Sequence, residues 1–250
     1  MAFRDLLWVL TLRDLRARYR GHGLGYFWSI LNPLLLLVVY TVVFSTILRV
    51  GIDDFVLFLA CGLLPWTWFS TALSVATGSV RQGAGFVRRI YFPAQVLPLV
   101  AVLSQLVHFL VSLPLVLLLA AVLGRVPGAP LMALVPIVLI QTVFTSGLAL
   151  FVSSLGVRFR DLEHILSNVL LVLFFLAPII YAPEMVPTGL RWVLRVNPLA
   201  VLIGGYQDVL YRRAWPDWMS LGLALTVSVL VFGAGALLFE RERRGFAELL

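Results

Sequence analysis

Side chains that could do chemistry are scarce in the apolar part of this chain. His108 has Ser104 and Ser112 one helical turn away on either side, so a base and a nucleophile could share one helix face. Serine and histidine on adjacent turns of one membrane helix more often hydrogen-bond to neighbouring helices, which is the interpretation we favour. No His/Cys cluster has metal-ligand spacing, and the single cysteine, Cys61, excludes an intrachain disulfide. The sequence therefore predicts neither a catalytic site nor a metal site.

Lysine is absent, and all 19 basic residues are arginines. A phosphate-binding G-x-x-x-x-G-K-[ST] loop needs its lysine, so this polypeptide cannot carry that kind of ATPase site. We expect a chain that is not an enzyme and that binds no cofactor of its own.

The composition predicts a membrane protein. Hydrophobic residues make up 61% of the chain and charged residues only 12%, against about 25% charged in soluble domains. Six stretches lack Asp, Glu, Lys and Arg, and each is long enough for a spanning helix of about 20 residues. We predict an all-α, polytopic integral membrane protein that forms one domain over residues 1–250. Its six transmembrane helices are expected at residues 30–48, 55–80, 96–123, 131–157, 165–182 and 218–239.

The arginines between these spans predict the topology. Thirteen lie on the side of both termini and six on the opposite side, which places both termini in the cytoplasm by the positive-inside rule. Ion-coupled carriers usually keep a charged residue within their spans, and none is present in these six. The chain is therefore expected to be passive or to be powered by another protein.

The N-terminal segment, residues 1–22, is predicted to be an amphipathic helix on the membrane surface. Phe3, Leu6, Leu10 and Ala17 fall on one of its faces. Its arginines could bind anionic headgroups, including a lipid pyrophosphate; they are Arg13, Arg16, Arg18 and Arg20. The alternative is a plain basic flank that only sets the topology.

Two connections on the cytoplasmic side mix charge with hydrophobic anchors, which is typical of a segment that docks into another protein. The first is predicted as a short helix over residues 84–95, and the second contains Arg160 and Asp161. The anchors and charges of the first are Phe86, Val87, Arg88, Arg89, Ile90 and Tyr91. The alternative is an interfacial turn with snorkelling arginines.

The connection over residues 183–216 is too apolar for a solvent loop. It predicts two short helices, 188–196 and 199–211, hinged at Asn197 and Pro198. A re-entrant helical hairpin fits because non-helical backbone at membrane depth must be covered by protein or line a watery cavity. A hairpin lying on the membrane surface is the alternative.

Aromatic residues are concentrated in spans one, two and five. They could line a path along which sugar rings slide without tight binding, or they could form ordinary interfacial belts. The residues concerned are Tyr40, Phe44, Trp66, Trp68, Phe69, Phe174, Phe175 and Tyr181.

Six blocks, in order, carry a family resemblance over nearly the whole chain. They read RARYRGHGLGYFWSILNP (16–33), GLLPWTWFSTAL (62–73), VRRIYFPAQVLPL (87–99), FRDLEHIL (159–166), LAPIIYAPEMVP (176–187) and NPLAVLIGGYQDVLY (197–211). They resemble the membrane (permease) subunits of type-2 ABC transporters, ABC-2 type, that export cell-surface polysaccharide. Examples are the exporters of O-antigen, teichoic acid and capsule. His22 and Gln207 depart from the residues common in that family.

The resemblance implies a homodimeric permease in the bacterial inner membrane that pairs with two copies of a separate ATPase, which binds ATP and Mg. The implied substrate is a lipid-linked polysaccharide, most simply O-antigen, as in lipopolysaccharide biosynthesis. Teichoic acid, a drug or a small lipid is the alternative. On this basis residues 84–95 form the coupling helix, with Arg160 and Asp161 beside it. The hairpin is the outer gate, with Pro187, Asn197, Pro198 and Tyr206 as its hinge and contact residues.

Overall fold

The computed structural model describes residues 3–19, 27–87 and 92–246, and these residues contain helices but no strand, as predicted. The helices are α1 (Phe3–Tyr19), α2 (Phe27–Thr41, continued by the π-helical Val42–Ile47), α3 (Phe55–Gln82), α4 (Ala84–Val87), α5 (Val96–Val122), α6 (Leu134–Arg158, preceded by the 3-10 turn Ala129–Ala133), α7 (Leu162–Phe175), α8 (Arg191–Val196), α9 (Pro198–Gln207, continued by the π-helical Asp208–Arg212) and α10 (Trp218–Arg243). Two 3-10 turns, Pro183–Met185 and Thr188–Leu190, precede α8.

Helix α3 is the centre of the bundle. It packs against α5 on one side and α6 on the other, and α10 lies outermost against α6. Helices α2, α7 and α9 also contact α3. Most side chains of α3 are buried, whereas most of those on α10 face outward and are apolar. Apolar residues on the outer surface are expected for helices that face lipid.

Small residues allow the closest helix contacts. A Cβ added at Gly235 of α10 would overlap the carbonyl oxygen of Gly147 of α6, and one added at Gly156 would overlap the carbonyl oxygen of Thr77 of α3. Helices in a bilayer associate mainly through packing, because lipid tails are as apolar as leucine, so contacts of this kind hold the bundle together.

Among the described residues, four helical segments are long and apolar enough to span a membrane: Phe55–Gln82, Val96–Val122, Ala129–Arg158 and Trp218–Arg243. They correspond to four of the six predicted spans. The apolar helices of the other two, Leu34–Ile47 and Leu162–Phe175, are shorter. Helix α7 ends at Phe175, although a span to residue 182 was predicted; Pro178 and Pro183 follow closely and lack the N–H that would continue the helix.

The ion pairs between different elements lie at two opposite ends of the bundle. Arg81 of α3 pairs with Glu163 of α7, and Arg158 with Glu242 across 3.5 Å; we call this the Arg81 end. Arg125 pairs with Asp54, and Arg212 with Glu184 across 3.0 Å; we call this the Arg125 end. The helices between the two ends are apolar, as in a protein that crosses a bilayer.

Two short elements differ from their predicted form. Helix α1 packs against α5, and Thr11 and Leu15 are buried on it, whereas Phe3 of the predicted apolar face is exposed. Within the described residues of the predicted helix 84–95, Ala84–Val87 are helical, whereas residues 92–95 form an irregular segment and turn before α5. Pro93 cannot donate the hydrogen bond that would continue the helix there.

Candidate functional site

A continuous chain of ring contacts links five parts of the fold. Neighbouring ring centroids lie between 5.3 and 6.3 Å apart, within the range of favourable aromatic pairs. We call this set the aromatic chain. It runs from the π-helical turn after α9 through α3 and α2 to α7, and then back through α3 to α6. In order, its members are Tyr211, Phe58, Phe55, Phe44, Tyr40, Phe174 (with Phe175 beside it), Trp66, Phe69 and Phe144.

Six of the eight residues predicted to line a path belong to the aromatic chain: Tyr40, Phe44, Trp66, Phe69, Phe174 and Phe175. Trp68 is separate from them. Its ring stacks on Phe109 of α5 at 5.2 Å, and its indole N–H donates to the carbonyl of Val102 at 3.3 Å. The Tyr181 hydroxyl donates a hydrogen bond to the backbone carbonyl of Phe175 at 2.9 Å, so Tyr181 contacts the backbone of a member of the aromatic chain.

Burial separates the surface members of the aromatic chain from the supporting ones. Phe175 is 55% exposed and Tyr40, Phe44 and Tyr211 are half-buried, whereas the other members are buried. In a single copy of the chain, only the first group can touch a molecule that passes along the surface. The buried rings fix the positions of the exposed ones, and a lining role for Trp66, Trp68 and Phe69 would require their neighbours to move.

At the Arg81 end, α1 contacts α4. The guanidinium carbon of Arg13 lies 5.5 Å from the centroid of the Phe86 ring, within cation–π distance, and that ring also contacts Phe92 at 5.6 Å. Arg13 and Arg16 are exposed. A predicted lipid-binding arginine is therefore joined directly to a predicted docking residue.

Several predicted site residues are not described by the structure. Arg18 lies in α1 and Val87 in α4, but their side chains are outside the described part, as are Arg20, Arg88, Arg89, Ile90 and Tyr91 altogether. Arg160 and Asp161 are exposed in the connection between α6 and α7. The ion pair between Arg81 and Glu163 brings the start of α7 next to the end of α3, so this connection and α4 lie at the same end of the bundle.

The predicted hairpin contains a hinge held by Asn197. Its side-chain oxygen accepts the N–H of Leu199 at 3.1 Å and caps α9, while its amide donates to the carbonyl of Leu176 at 3.4 Å. Pro198, which was predicted as part of the hinge, occupies the first turn of α9, where its fixed φ suits a helix, and Pro187 is exposed. Tyr206 is fully buried and meets Phe109 edge-on at 5.6 Å.

Two buried glutamines, which were not predicted as site residues, donate hydrogen bonds to the carbonyls of prolines. Gln207 donates to the carbonyl of Pro178 at 2.7 Å, and Gln141 of α6 donates to that of Pro65 within α3 at 2.9 Å. A Cβ at Gly62 would lie 3.2 Å from the Gln207 amide nitrogen, so α9 and α3 approach closely there. No local pattern in the sequence indicates these two contacts, because a proline in a helix frees the carbonyl four residues before it and not its own.

The hairpin is tied to the rest of the Arg125 end by a second contact. The Tyr211 hydroxyl donates to the carbonyl of Asp53 at 2.7 Å, and the Arg125 guanidinium lies 5.0 Å from the centroid of the Tyr211 ring. Arg125 also pairs with Asp54. The connection before α3, the connection after α5 and the hairpin thus meet at Tyr211, which is the first member of the aromatic chain. A movement of the hairpin would therefore displace residues at the ends of both α3 and α5.

Comparison with known proteins gives consistent relatives. The family model described as ABC-2 type transporter matches residues 5–211. A protein of Myxococcus xanthus named O-antigen export system permease protein RfbA is 38% identical over 98% of this chain and 95% of its own length. One of the same name from Klebsiella pneumoniae is 33% identical over the same shares. The polysialic acid transport protein KpsM of Escherichia coli is 25% identical over 87% of this chain and 84% of its own.

The matched range contains the aromatic chain and, apart from the first two residues of α1, all of α1 to α9. The apolar bundle with polar ends fits a membrane domain. A family model that covers most of the sequence and two relatives above 30% identity over almost the full length agree with the six sequence blocks. The chain belongs to the ABC-2 type transporter family, as a membrane permease of an ABC transport system.

Proposed function

We propose that this chain is the permease subunit of an ATP-driven exporter, and that its substrate is a lipid-linked polysaccharide of the O-antigen type. The observation that carries the proposal is the near-complete match to proteins named O-antigen export system permease, at 38% and 33% identity. The aromatic chain supports it, because exposed aromatic faces without charge suit sugar rings that must move on after contact.

Energy would come from a separate ATPase subunit. The chain has no lysine for a phosphate-binding loop, and its charge-free spans offer no element for ion coupling. We propose that two copies of the ATPase, each with ATP and Mg, dock at the Arg81 end of a homodimer of this chain. The contact would be made by α4, by the segment after it and by the connection with Arg160 and Asp161.

The proposed topology has six spans with both termini in the cytoplasm of a bacterial inner membrane. Helix α2 and its π-helical continuation cover residues 27–47, and α7 with the turns after it reaches residue 182. The Arg81 end would face the cytoplasm, since it carries most of the arginines. The hairpin at the Arg125 end would then be the outer gate, re-entrant or lying at the membrane surface.

Among the relatives, the names mention O-antigen and polysialic acid, which favours a glycan over a drug or a small lipid. A direct test expresses this chain with its own ATPase partner in a strain whose O-antigen permease gene has been deleted. Appearance of O-antigen on the cell surface is the expected result. If surface O-antigen stays absent while both proteins are present in the membrane, the assignment to O-antigen is wrong.

A further inference from the structure

A small pocket of about 200 Å³ opens on the hairpin at the Arg125 end, and no role assigned above uses it. At about 30 Å³ per water molecule, this volume holds about six waters or one small polar group. Two cations and one carboxylate face it, together with an aliphatic wall. Its lining residues are Pro183, Glu184, Arg191, Leu194 and Arg195.

Arg191 is held rigidly at this pocket. Its Nε donates to the carbonyl of Val186 and one terminal nitrogen donates to the carbonyl of Glu184, both at 2.9 Å. A guanidinium has five N–H donors, so three remain for another acceptor. Because the two carbonyls fix the plane of the group, a ligand would find these donors already oriented.

The carboxylate in the pocket is paired with an arginine outside it. Glu184 accepts from one terminal nitrogen of Arg212, at 3.0 and 3.4 Å to its two oxygens, and Arg212 also binds Asp208 at 2.8 Å. Arg195 lies one helical turn after Arg191 on α8, and it forms no hydrogen bond or ion pair with the described residues. Because Arg212 is shared by two carboxylates, the three guanidinium groups of this region exceed its carboxylates by one positive charge, and Arg195 is the cation without a partner among the described residues.

Exposed apolar side chains surround this charged pocket. They are between 50% and 71% exposed, and they are Met185, Leu190, Trp192 and Val196. The rings of Trp215 and Trp218 lie 6.1 Å apart where α10 begins, and tryptophans are enriched at the level of lipid headgroups. Arg212, three residues before Trp215, pairs with Glu184 of the pocket, so the pocket lies at the same end of the bundle as these tryptophans.

We propose that this pocket binds the phosphate of a membrane lipid headgroup. Arg191 and Arg195 supply the paired donors that suit phosphate oxygens, and the apolar rim lies against the lipid tails. Two lipids carry this chemistry: a phospholipid of the surrounding bilayer, and a lipid-linked pyrophosphate that reaches this end of the bundle. The site would hold the hairpin against the membrane, whichever of the two occupies it.

Titration of the purified full-length protein with dioleoyl phosphatidylglycerol, followed by its thermal shift, tests the proposal. Arg195→Gln should weaken binding about tenfold, as expected when one charge-assisted contact is lost. Arg213→Gln removes a neighbouring exposed arginine outside the pocket and should leave the affinity unchanged. Diolein, which has the same tails and no phosphate, should not bind. Equal affinity of the wild type and Arg195→Gln, or equal binding of diolein, overturns the proposal.

Farnesyl pyrophosphate added in competition distinguishes the two sources. Displacement of phosphatidylglycerol at concentrations about tenfold lower assigns the site to the lipid-linked pyrophosphate, and weaker displacement assigns it to a bilayer phospholipid. Arg195 is exposed, so the Gln variant should melt like the wild type without lipid, and Arg195→Lys should recover part of the affinity. This binding requires neither ATP nor a partner, so it can fail or succeed independently of the export assay.

Discussion

The Arg13 guanidinium lies 5.5 Å over the ring of Phe86, and this contact joins the N-terminal helix α1 to the short helix α4. The two residues were predicted to serve different purposes, one at a lipid headgroup and the other at a partner ATPase. Because they touch, a lipid bound at the proposed headgroup site would be able to alter the position of the proposed docking segment.

A double-mutant cycle tests this coupling. Arg13→Gln and Phe86→Leu should each reduce the stimulation of the partner's ATPase by substrate, and the double variant should be little worse than either single one. A cation–π pair at an exposed site is worth about 0.5–1 kcal/mol, so an effect of a few-fold is expected. The measurement is ATP hydrolysis by the reconstituted complex with and without lipid-linked substrate.

Arg16→Gln is the matched control, because Arg16 is an exposed arginine of the same helix. It should raise the substrate concentration needed for half-maximal stimulation and leave the maximum unchanged. Strictly additive effects of Arg13→Gln and Phe86→Leu would mean that the contact transmits nothing.

The combined replacement of Phe86, Arg88 and Tyr91 should uncouple ATP hydrolysis from export while insertion into the membrane stays normal.

Exposed and buried aromatics should respond differently to truncation. Phe175→Ala should slow export with little change in stability, because the ring is 55% exposed in a single copy. Trp68→Ala should instead lower the free energy of unfolding by about 3 kcal/mol, since it empties a packed site and removes a buried hydrogen bond. Export by cells and thermal unfolding in detergent separate the two effects. Normal export by Phe175→Ala would contradict a lining role for it.

The contact between α6 and α10 predicts a strong dependence on one glycine. Gly235→Ala should destabilise the bundle by about 1–3 kcal/mol, because the new methyl group overlaps the carbonyl of Gly147 and the helices must separate. Gly233→Ala, on the same helix, has no atom within 4 Å and should be neutral. Unfolding of both variants in the same detergent is the measurement, and equal stabilities would show that the close contact is not formed.

Two carboxylates near the hairpin should give opposite pH effects. Burial raises the pKa of Asp208, and Arg212 offsets only part of this. Hydrogen bonds from Ser220 and from the Met219 N–H lower the pKa of Asp217. The ionised Asp208 therefore weakens the folded state at neutral pH, and that effect is lost as the pH falls through its raised pKa to the pKa of the unfolded chain. The contribution of Asp217 is present above its unfolded pKa and is lost as the pH falls.

Asp208→Asn should accordingly raise the melting temperature at pH 7, and the difference should shrink as the pH is lowered. Asp217→Asn should lower the melting temperature at pH 7 and approach the wild type in acid, because the amide still caps α10 but carries no charge. The measurement is the melting temperature of the wild type and of both variants at several pH values. A lower melting temperature of Asp208→Asn at pH 7 would mean that its pair with Arg212 outweighs the effect of burial.

Much of the fold could be predicted because a membrane span is recognisable from the local composition of the sequence. The all-helical class and four of the spans follow from uninterrupted apolar stretches, for which the bilayer thickness sets the length. The ends of elements were harder, as α7 shows: it stops before a proline whose effect depends on where the following turn can pack. The ion pair between Arg158 and Glu242 joins helices far apart in sequence, and no local pattern indicates it.

In the candidate site, too, the residue types could be predicted from the sequence, whereas their contacts depend on the packing of the helices. The aromatic residues were predicted as one group by their type and position, but Trp66 and Trp68, two residues apart on α3, point in nearly opposite directions. Trp66 and Phe69 are three apart and share a face with the aromatic chain, whereas Trp68 faces α5. Helical spacing alone could have separated them, but which face meets α5 depends on the packing of the whole bundle.

Transport by purified components tests the central claim most directly. This chain is incorporated into lipid vesicles with and without its ATPase partner, and lipid-linked polysaccharide that has crossed the bilayer is measured after addition of ATP. The account predicts transport that requires both proteins and hydrolysable ATP, and no transport by this chain alone under an ion gradient. Transport by this chain without the ATPase, or none when both proteins and ATP are present, would contradict it.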